Sequence, residues 1–282
     1  MKQTRIEILK VLSYFDLFDY PLAESEIRRF LYNDPDDIEM TNTLQAMIAG
    51  QYIFKINNFY SLRDDFSLFE KRIAGNNRAR LLLAIAKKTS RFLFNFPFVR
   101  GIGISGSLSK NTADEKDDID YFIITSANRL WIARTLMHLF KKLSFLTGKQ
   151  HWYCMNYYVD EQALQIEEKN IFTAIEIVTL LPMCGNGTMD EFFNVNEWTG
   201  DYFPNSGLPA KSKAHPKRVL IGKKLLEFFL NNFFSNRLDN YLMKITATRW
   251  ARKEAEHRLN ISGNRMGIKT GKHYCKPNPQ FL

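Results

Sequence analysis

The segment of residues 104–124 constrains the fold and the chemistry of this chain more than any other part. It reads ISGSLSKNTADEKDDIDYFII, an apolar strand, a Gly-Ser turn, a polar excursion and a second apolar strand entered through two aspartates. Strand side chains alternate between faces, so we expect Asp118 and Asp120 on one side and Ile119 in the core. Two ionised carboxylates in a small volume repel each other, and a hard divalent cation such as Mg²⁺ relieves that repulsion. The pair therefore predicts a metal site.

The Gly-Ser turn before the two aspartates has the composition of a phosphate-binding element. Gly106 lets the backbone approach a ligand closely, and the amides after it can open a helix, whose N-terminus attracts anions. The Ser107 hydroxyl can bond a terminal phosphate, and Lys110, one helical turn further on, can bring a positive charge to the same oxygens. We therefore expect Gly106, Ser107 and Lys110 to bind the phosphates of a nucleotide.

The same segment has a simpler interpretation, in which the turn is an ordinary strand-to-loop connection and the acidic run is a solvated loop. Asp120 argues against it, because this residue is followed directly by Tyr121-Phe122-Ile123-Ile124 and so lies inside the strand. An unpaired carboxylate is costly in such a position. The sequence therefore favours a functional pair of acids.

Residues 99–125 resemble the Gly-Ser, spacer, Asp-x-Asp signature of the DNA polymerase beta-like nucleotidyltransferase superfamily, particularly its minimal and antibiotic-modifying bacterial branches. In those branches the turn usually reads Gly-Ser-x-x-Arg-Gly, whereas this chain has Lys110 and Asn111 at the last two positions. Lysine keeps the positive charge, and asparagine tolerates the left-handed backbone conformation that glycine adopts. The resemblance implies that Asp118 and Asp120 bind one or two Mg²⁺ ions, which bridge the triphosphate of an NTP, with ATP as the expected nucleotide.

The superfamily normally takes a third carboxylate from another strand, and here the sequence leaves alternatives open. The register of the candidate strand, 151–159, places Asn156 or Tyr157 where the acid is expected. Asn156, Tyr158 and Asp160 share one face of a regular strand, so Asp160 could reach the metals from the strand end as the catalytic third acid. It could equally be the N-cap of a helix over the following residues EQALQIEEK.

Glu176 is the second candidate for the third acid and the general base. It lies in the predicted helix IFTAIEIVTLL, where it forms a polar stripe with two threonines on an otherwise apolar surface. A buried structural glutamate with hydrogen-bond partners accounts for that stripe equally well.

Composition predicts a globular protein of two or three modules, because 282 residues with 45% apolar and 14% aromatic residues can bury substantial cores. The cysteines, Cys154, Cys184 and Cys275, lack paired spacing and the five histidines show no ligand pattern, so neither a disulfide framework nor a zinc site is expected. The N-terminus lacks the form of a signal peptide, and no uninterrupted apolar stretch approaches about 18 residues. We expect a cytoplasmic protein without a membrane partner.

Residues 1–65 have the pattern of a winged-helix-like domain. Three helices are predicted, over 5–18, 23–32 and 38–48, followed by a hairpin that turns at Asn57-Asn58. The third helix has no Lys or Arg, and the region has seven basic and eleven acidic residues. Because binding of duplex DNA depends on neutralising phosphates, a protein-contact or substrate-orienting role is favoured over DNA reading.

The rest of the chain predicts a mixed α/β (α+β) fold with a small mixed sheet. A helical connector over 66–95 leads into a nucleotidyltransferase core over 96–165, and residues 166–282 form a mainly helical C-terminal region with a basic tail. Residues 207–282 contain sixteen basic and four acidic residues. The cluster of Arg249, Arg252, Lys253 and Arg258 could bind triphosphate or an RNA acceptor, or could be a solvated helix surface.

The function expected from these features is Mg²⁺-dependent transfer of a nucleoside monophosphate from an NTP to an acceptor hydroxyl, with release of pyrophosphate. A small molecule, a protein and an RNA 3′ end all stay open as acceptors. The alternative is a catalytically degenerate nucleotide-binding regulator that acts on a protein partner through residues 1–65, and the missing third acid favours it.

Overall fold

The computed structural model describes residues 2–115, 117–185, 187–207, 221–231, 234–260, 269–270, 272 and 274–276. The α-helices are α1 (Lys2–Asp16), α2 (Glu24–Phe30), α3 (Asp37–Ala49), α4 (Phe66–Leu93), α5 (Gly106–Ser109), α6 (Leu130–Ser144), α7 (Ile171–Thr179), α8 (Thr188–Val195), α9 (Ile221–Leu230) and α10 (Ser235–Asn260). The strands are β1 (Leu22–Ala23), β2 (Phe54–Ile56), β3 (Phe59–Ser61), β4 (Val99–Ile104), β5 (Asp120–Thr125), β6 (Cys154–Asp160), β7 (Leu181–Gly185), β8 (Lys269–Thr270) and β9 (Tyr274–Lys276). The chain is therefore a mixed α+β protein, as its sequence predicts.

The N-terminal module, residues 2–61, contains the three helices and the hairpin that its sequence predicts. The carboxylate of Asp36 caps α3 by accepting a hydrogen bond from the amide of Glu39, at 2.7 Å. Asn57 adopts the positive φ of 53° that the tight turn between β2 and β3 requires. The short strand β1, which the sequence pattern did not indicate, pairs with β3 and completes a three-stranded antiparallel sheet.

Helix α4 connects the N-terminal module to the larger sheet. It is predicted over 66–95 and observed over 66–93. Gly75 lies on its packed side, where an added Cβ would stand 2.5 Å from the Thr112 hydroxyl oxygen. The helix therefore lies directly against the loop that follows α5.

The larger sheet has the strand order β7-β4-β5-β6-β9-β8. Strand β5 is antiparallel to β4 and parallel to β6, and all six of its residues are buried. Its alternating side chains enter two cores: Phe122 and Ile124 pack on the face covered by the N-terminal module and α7, and Tyr121 and Ile123 on the face covered by α4 and α6. A strand with helices on both sides explains why this segment is apolar on both faces.

Several elements after residue 160 differ from the predictions. No helix forms over EQALQIEEK, which is a turn and irregular chain. Strand β7 lies in a region predicted to be mainly helical, where it pairs with β4. The tail contributes β8 and β9, and β9 pairs with β6. Pro182 conceals the strand pattern of β7, because proline cannot donate a hydrogen bond within a sheet. Strands β8 and β9 come from a distant part of the chain, so local patterns did not reveal their pairing.

The three cysteines are free, in agreement with the absence of paired spacing. Within the described ranges, no helix has both the length and the apolar character needed to cross a bilayer.

Candidate active site

The two aspartates and the Gly-Ser turn meet in one pocket. Asp120 is the first residue of β5, Asp118 precedes it by two residues, and the Gly106 turn follows the adjacent antiparallel strand β4. The amide of Ser105 donates to the Asp120 carbonyl at 3.0 Å, which keeps the turn beside the acids. Five of the six predicted site residues, Gly106, Ser107, Lys110, Asp118 and Asp120, line this pocket, which encloses about 370 Å³.

Asp120 is a nearly buried carboxyl group in this pocket. Its side chain is on the face of the sheet that the N-terminal module covers, and the residue is 7% exposed. The Asn156 amide donates to its Oδ1 at 2.7 Å. Burial, with the nearby carboxylates of Asp118, Asp117 and Glu176 adding repulsion, raises the pKa of Asp120 from 3.8 to about 7. The surroundings of Asp120 in the protein therefore disfavour its charged form.

Asn156 reaches Asp120 because β6 contains a bulge. Asp120 and Tyr121 pair with Cys154 and Met155, but Phe122 pairs with Tyr157, so Asn156 has no partner in the register. Bulges are frequent next to active sites, where they redirect a side chain.

The bulge also breaks the expected alternation along β6. Tyr158 packs in the core on the opposite face of the sheet, with Tyr121 and Ile123. The prediction that Asn156 and Tyr158 share a face is therefore wrong.

Asp118 lies at the edge of the pocket and contacts a histidine that sequence reasoning missed. Its Oδ1 is 2.5 Å from Nδ1 of His151, and the Ile119 amide donates to the His151 carbonyl at 3.0 Å. His151 stands just before β6, which runs parallel to β5, so the starts of the two strands are adjacent. Only the strand pairing brings these residues together, since 33 positions separate them in the chain.

The turn has the conformation that its sequence predicts. Gly106 has a φ of 69° and Asn111 a φ of 59°, so asparagine takes a left-handed conformation at the position where the superfamily has glycine. The Ser107 hydroxyl donates to Asp117 at 2.8 Å, and the same carboxylate oxygen accepts the Asp114 amide at 2.9 Å. Asp117 therefore closes the loop between the turn and the acidic pair.

The structure excludes Asp160 as a third acid at this site. Asp120 pairs with Cys154 at the start of β6, whereas Asp160 pairs with Thr125 at the other end, about 20 Å along the strands. The Asp160 carboxylate is fully buried and accepts the amides of Asn128 and Gln162, both at 2.9 Å. Its role is to order the loops at the far edge of the sheet, and no helix follows it to be capped.

Glu176, the second candidate, does lie in the pocket. Helix α7 directs it toward Lys110, whose Nζ donates to Glu176 Oε1 at 2.7 Å and to the Gly106 carbonyl at 3.3 Å. Glu176 Oε2 is buried and has no hydrogen-bond partner among the described residues. The pKa of the Tyr14 phenol is raised, first by burial and then by the Glu176 charge. Glu176 therefore has one oxygen paired with Lys110 and one buried oxygen without a hydrogen-bond partner among the described residues.

The donor set fits a magnesium ion that arrives with a nucleotide better than a permanent metal centre. Among the described residues no three His, Cys, Asp or Glu side chains form a group that could hold a metal ion. Mg²⁺, however, keeps several waters and commonly uses only one or two carboxylates together with substrate phosphates. Asp118 and Asp120 are hard oxygen donors of this kind, and a cation beside them would favour the ionised form of Asp120.

The pocket has a second wall that sequence reasoning did not identify. The end of α1 and the turn after it contribute aromatic side chains, and α4 contributes two cations. The aromatic residues are Tyr14, Phe15, Phe18 and Tyr20, and the cations are Lys71 and Arg72. Of the predicted basic cluster, Arg249 and Arg252 are exposed on α10 and do not line this pocket, and the side chains of Lys253 and Arg258 lie outside the described residues.

Comparisons with protein-family models, with curated proteins and with solved structures found no match for this chain.

Proposed function

We propose that this chain is a Mg²⁺-dependent nucleotidyltransferase that moves a nucleoside monophosphate from an NTP, ATP being the expected one, to an acceptor hydroxyl. The observation that supports it most is the meeting of Asp118, Asp120 and the Gly106 turn in one pocket. The resemblance of residues 99–125 to the polymerase beta-like superfamily supplies the reaction.

Five side chains of the pocket have a direct role in this proposal. Asp118 and Asp120 would hold the Mg²⁺ ions, which when bound neutralise the charge of the triphosphate and of the leaving group. The Ser107 hydroxyl and the Lys110 ammonium would bind the outer phosphates, which requires Ser107 to exchange Asp117 for a phosphate oxygen.

We assign proton removal to Glu176. The acceptor oxygen forms a bond to the α-phosphorus while the bond from that phosphorus to the bridging oxygen breaks and pyrophosphate leaves. The hydroxyl proton passes to the unpaired Oε2 of Glu176. Lys110 holds the other oxygen and so orients the carboxylate.

The winged-helix-like N-terminal module orients substrate in this proposal and does not read DNA. Helix α3 is packed through Met40, Leu44 and Met47, and its exposed residues include Asp37 and no Lys or Arg. A recognition helix without cations cannot neutralise DNA phosphates. The module instead contributes the second wall of the pocket.

Transfer of label from two forms of ATP tests this function. The full chain is incubated with Mg²⁺, a cell extract and ATP labelled at either the α- or the γ-phosphate. Nucleotidyl transfer predicts an acceptor that gains the α-label and never the γ-label, whereas phosphoryl transfer would reverse the result. Asp118→Asn and Asp120→Asn should abolish labelling, and Glu161→Gln, an exposed acid away from the pocket, should not.

The alternative is a nucleotide-binding regulator without catalysis. Asn156 at the position of the third strand acid favours it, because an amide cannot bind a metal as a carboxylate does. Saturable binding of each NTP by the wild-type chain, with no label transferred under any condition above, would establish this alternative and reject the enzyme.

A further inference from the structure

The aromatic wall of the pocket differs in character from the wall that contains the acids. Phe15 and Tyr20 are buried in the core of the N-terminal module, but Phe18 is 59% exposed. The Phe18 ring stands 5.5 Å from the ring of Tyr14, centroid to centroid. The Phe18 ring is therefore accessible at the edge of a polar pocket, beside a second aromatic ring.

The turn that presents Phe18 is fixed by ion pairs. Arg63 contacts the carboxylates of Asp16 and Asp19 at 2.8 and 2.7 Å, and Lys71 contacts Asp19 at 2.9 Å. Asp19 has a φ of 53°, a conformation that costs energy in a residue other than glycine. Strained backbone kept in place by its surroundings is concentrated at binding sites.

The cations of this wall are already paired, so the wall does not attract phosphate. Lys71 contacts Asp19, and Arg72 contacts Glu26 at 2.6 Å and donates to the carbonyl of Pro21 at 3.2 Å. The Arg72 guanidinium also lies 3.7 Å from the centroid of the Tyr20 ring. A neutralised surface with an exposed aromatic ring, that of Phe18, suits an uncharged planar group.

The aromatic wall is linked to the phosphate turn. The Tyr20 hydroxyl donates a hydrogen bond to the carbonyl of Lys110, the last residue of the predicted cradle. Whatever binds at this wall is therefore held at a fixed position relative to the triphosphate. In a nucleotide the planar group at such a position is the base, and stacking on aromatic side chains is tolerant of base identity.

We infer that the N-terminal module forms the nucleobase site of the enzyme, with Phe18 as the residue on which the base stacks. This inference rests on the proposed function and adds to it: the module becomes part of the nucleotide site, and the base is held by stacking. Phe18 is a positioning residue, since it touches the base and not the reacting phosphorus.

Binding of two ligands to the full chain in the presence of Mg²⁺ tests the inference. ATP has a base, and inorganic tripolyphosphate has the phosphates without one. Phe18→Ala should weaken ATP binding about tenfold and leave the affinity for tripolyphosphate unchanged. Phe18→Tyr, which keeps the ring, should restore ATP binding. Phe145→Ala is the matched control, because Phe145 is 58% exposed and does not line the pocket.

Each other outcome contradicts the inference in a recognisable way. Unchanged ATP affinity in Phe18→Ala would show that the base lies elsewhere, and an equal loss for both ligands would show that the turn acts on the phosphate site. If either result is obtained and the wild-type chain still transfers the α-label from ATP, only the nucleobase site is rejected and not the proposed function. If the wild-type chain binds neither ligand, the inference and the proposed function both fail.

Discussion

Asp120 is placed where its negative charge is unfavourable. It is buried, its amide neighbour Asn156 donates one hydrogen bond, and three other carboxylates lie near enough to raise its pKa. Burial and repulsion make the ionised carboxylate of Asp120 costly, and a cation beside it would relieve that cost. The free protein should therefore show this cost in its stability.

The first prediction concerns the pH dependence of folding in EDTA, where no metal can bind. The pKa of Asp120 is about 7 in the folded protein and 3.8 ordinarily, so the unfolded chain loses this proton first as pH rises. The folded state therefore loses stability between about pH 4 and pH 7, by at most about 4 kcal/mol. Urea unfolding should show Asp120→Asn close to wild type near pH 4 and more stable than wild type near pH 8.

The result that contradicts this account is an Asp120→Asn variant that is no more stable than wild type at about pH 8. Burial would then not be the dominant influence on the carboxyl group. Glu161→Gln, at an exposed position, is the control. The difference in its free energy of unfolding between the two pH values should equal that of wild type.

The second prediction concerns Glu176. Glu176→Gln keeps the shape of the side chain and removes its capacity to accept a proton, so transfer should fall by about 10²–10⁴ while ATP binding changes little. Single-turnover transfer and equilibrium binding separate the two effects. Glu167→Gln, at an exposed position, is the control. Equal transfer rates in Glu176→Gln and wild type would remove Glu176 from the chemistry.

Sequence predicted the site most completely where the residues are neighbours in the chain, and it named the distant Glu176 only as one of two candidates. The spacing of Gly106, Asp118 and Asp120 is local, and the structure brings these residues together. The wrong placement of Asp160 and the absence of His151 from the prediction have one cause. The register of β6 against β5, including its bulge at Asn156, depends on long-range pairing that strand periodicity does not contain.

At the scale of elements, the proposed phosphate site depends on the turn between β4 and α5. Gly106 and Gly148 both adopt left-handed conformations, with φ values of 69° and 66°, but only Gly106 lines the pocket. Gly148 has no atom within 4 Å of an added Cβ. Substitutions at these two glycines therefore separate the effect of backbone strain from the effect of a change in the pocket.

The third prediction uses that pair. Gly106→Ala and Gly148→Ala should each lower the free energy of unfolding by about 1–2 kcal/mol, because alanine is disfavoured in the left-handed region. Only Gly106→Ala should also weaken tripolyphosphate binding and transfer. Similar binding in both variants, measured alongside urea unfolding, would show that the Gly106 turn is a connection and not a phosphate cradle.

Most elements were predictable from local patterns, and the exceptions share a physical feature. Helices α1, α3 and α4 have bounds close to the predicted ones, and the side chains of Asp36 and Asp65 cap α3 and α4. Strand β7 has the sequence LPMCG, in which Pro182 and Gly185 conceal the strand signal. Strands β8 and β9 exist because the tail returns to β6, and only the tertiary fold creates that pairing.

At the scale of the whole molecule, the N-terminal module is part of the candidate site and is fixed to the rest of the chain. Arg29 donates to the Val178 carbonyl at 2.6 Å, and Ser206 donates to the Arg29 carbonyl at 2.9 Å. Arg72 joins α4 to the module through Glu26 and Pro21. Because both parts form the pocket, a substitution at this junction should change the stability of the entire molecule.

The fourth prediction compares two arginines of α4. Arg72→Met removes a buried guanidinium and leaves Glu26 without its partner, which should cost about 2 kcal/mol or more. Arg78→Met removes an exposed pair with Glu115 and should cost about 0.5 kcal/mol or less. Thermal unfolding of the two variants would measure the difference. Equal midpoints would show that the junction does not depend on Arg72.

Binding of Mn²⁺, followed by the electron paramagnetic resonance signal of the free ion, tests the central claim most directly. With a non-hydrolysable ATP analogue present, the wild-type chain should bind one or two Mn²⁺ ions. Asp118→Asn and Asp120→Asn should each weaken that binding by about tenfold or more, while Glu161→Gln should not. Equal Mn²⁺ affinity in wild type and in both asparagine variants would contradict the account, because the two aspartates would then not be the metal ligands of this pocket.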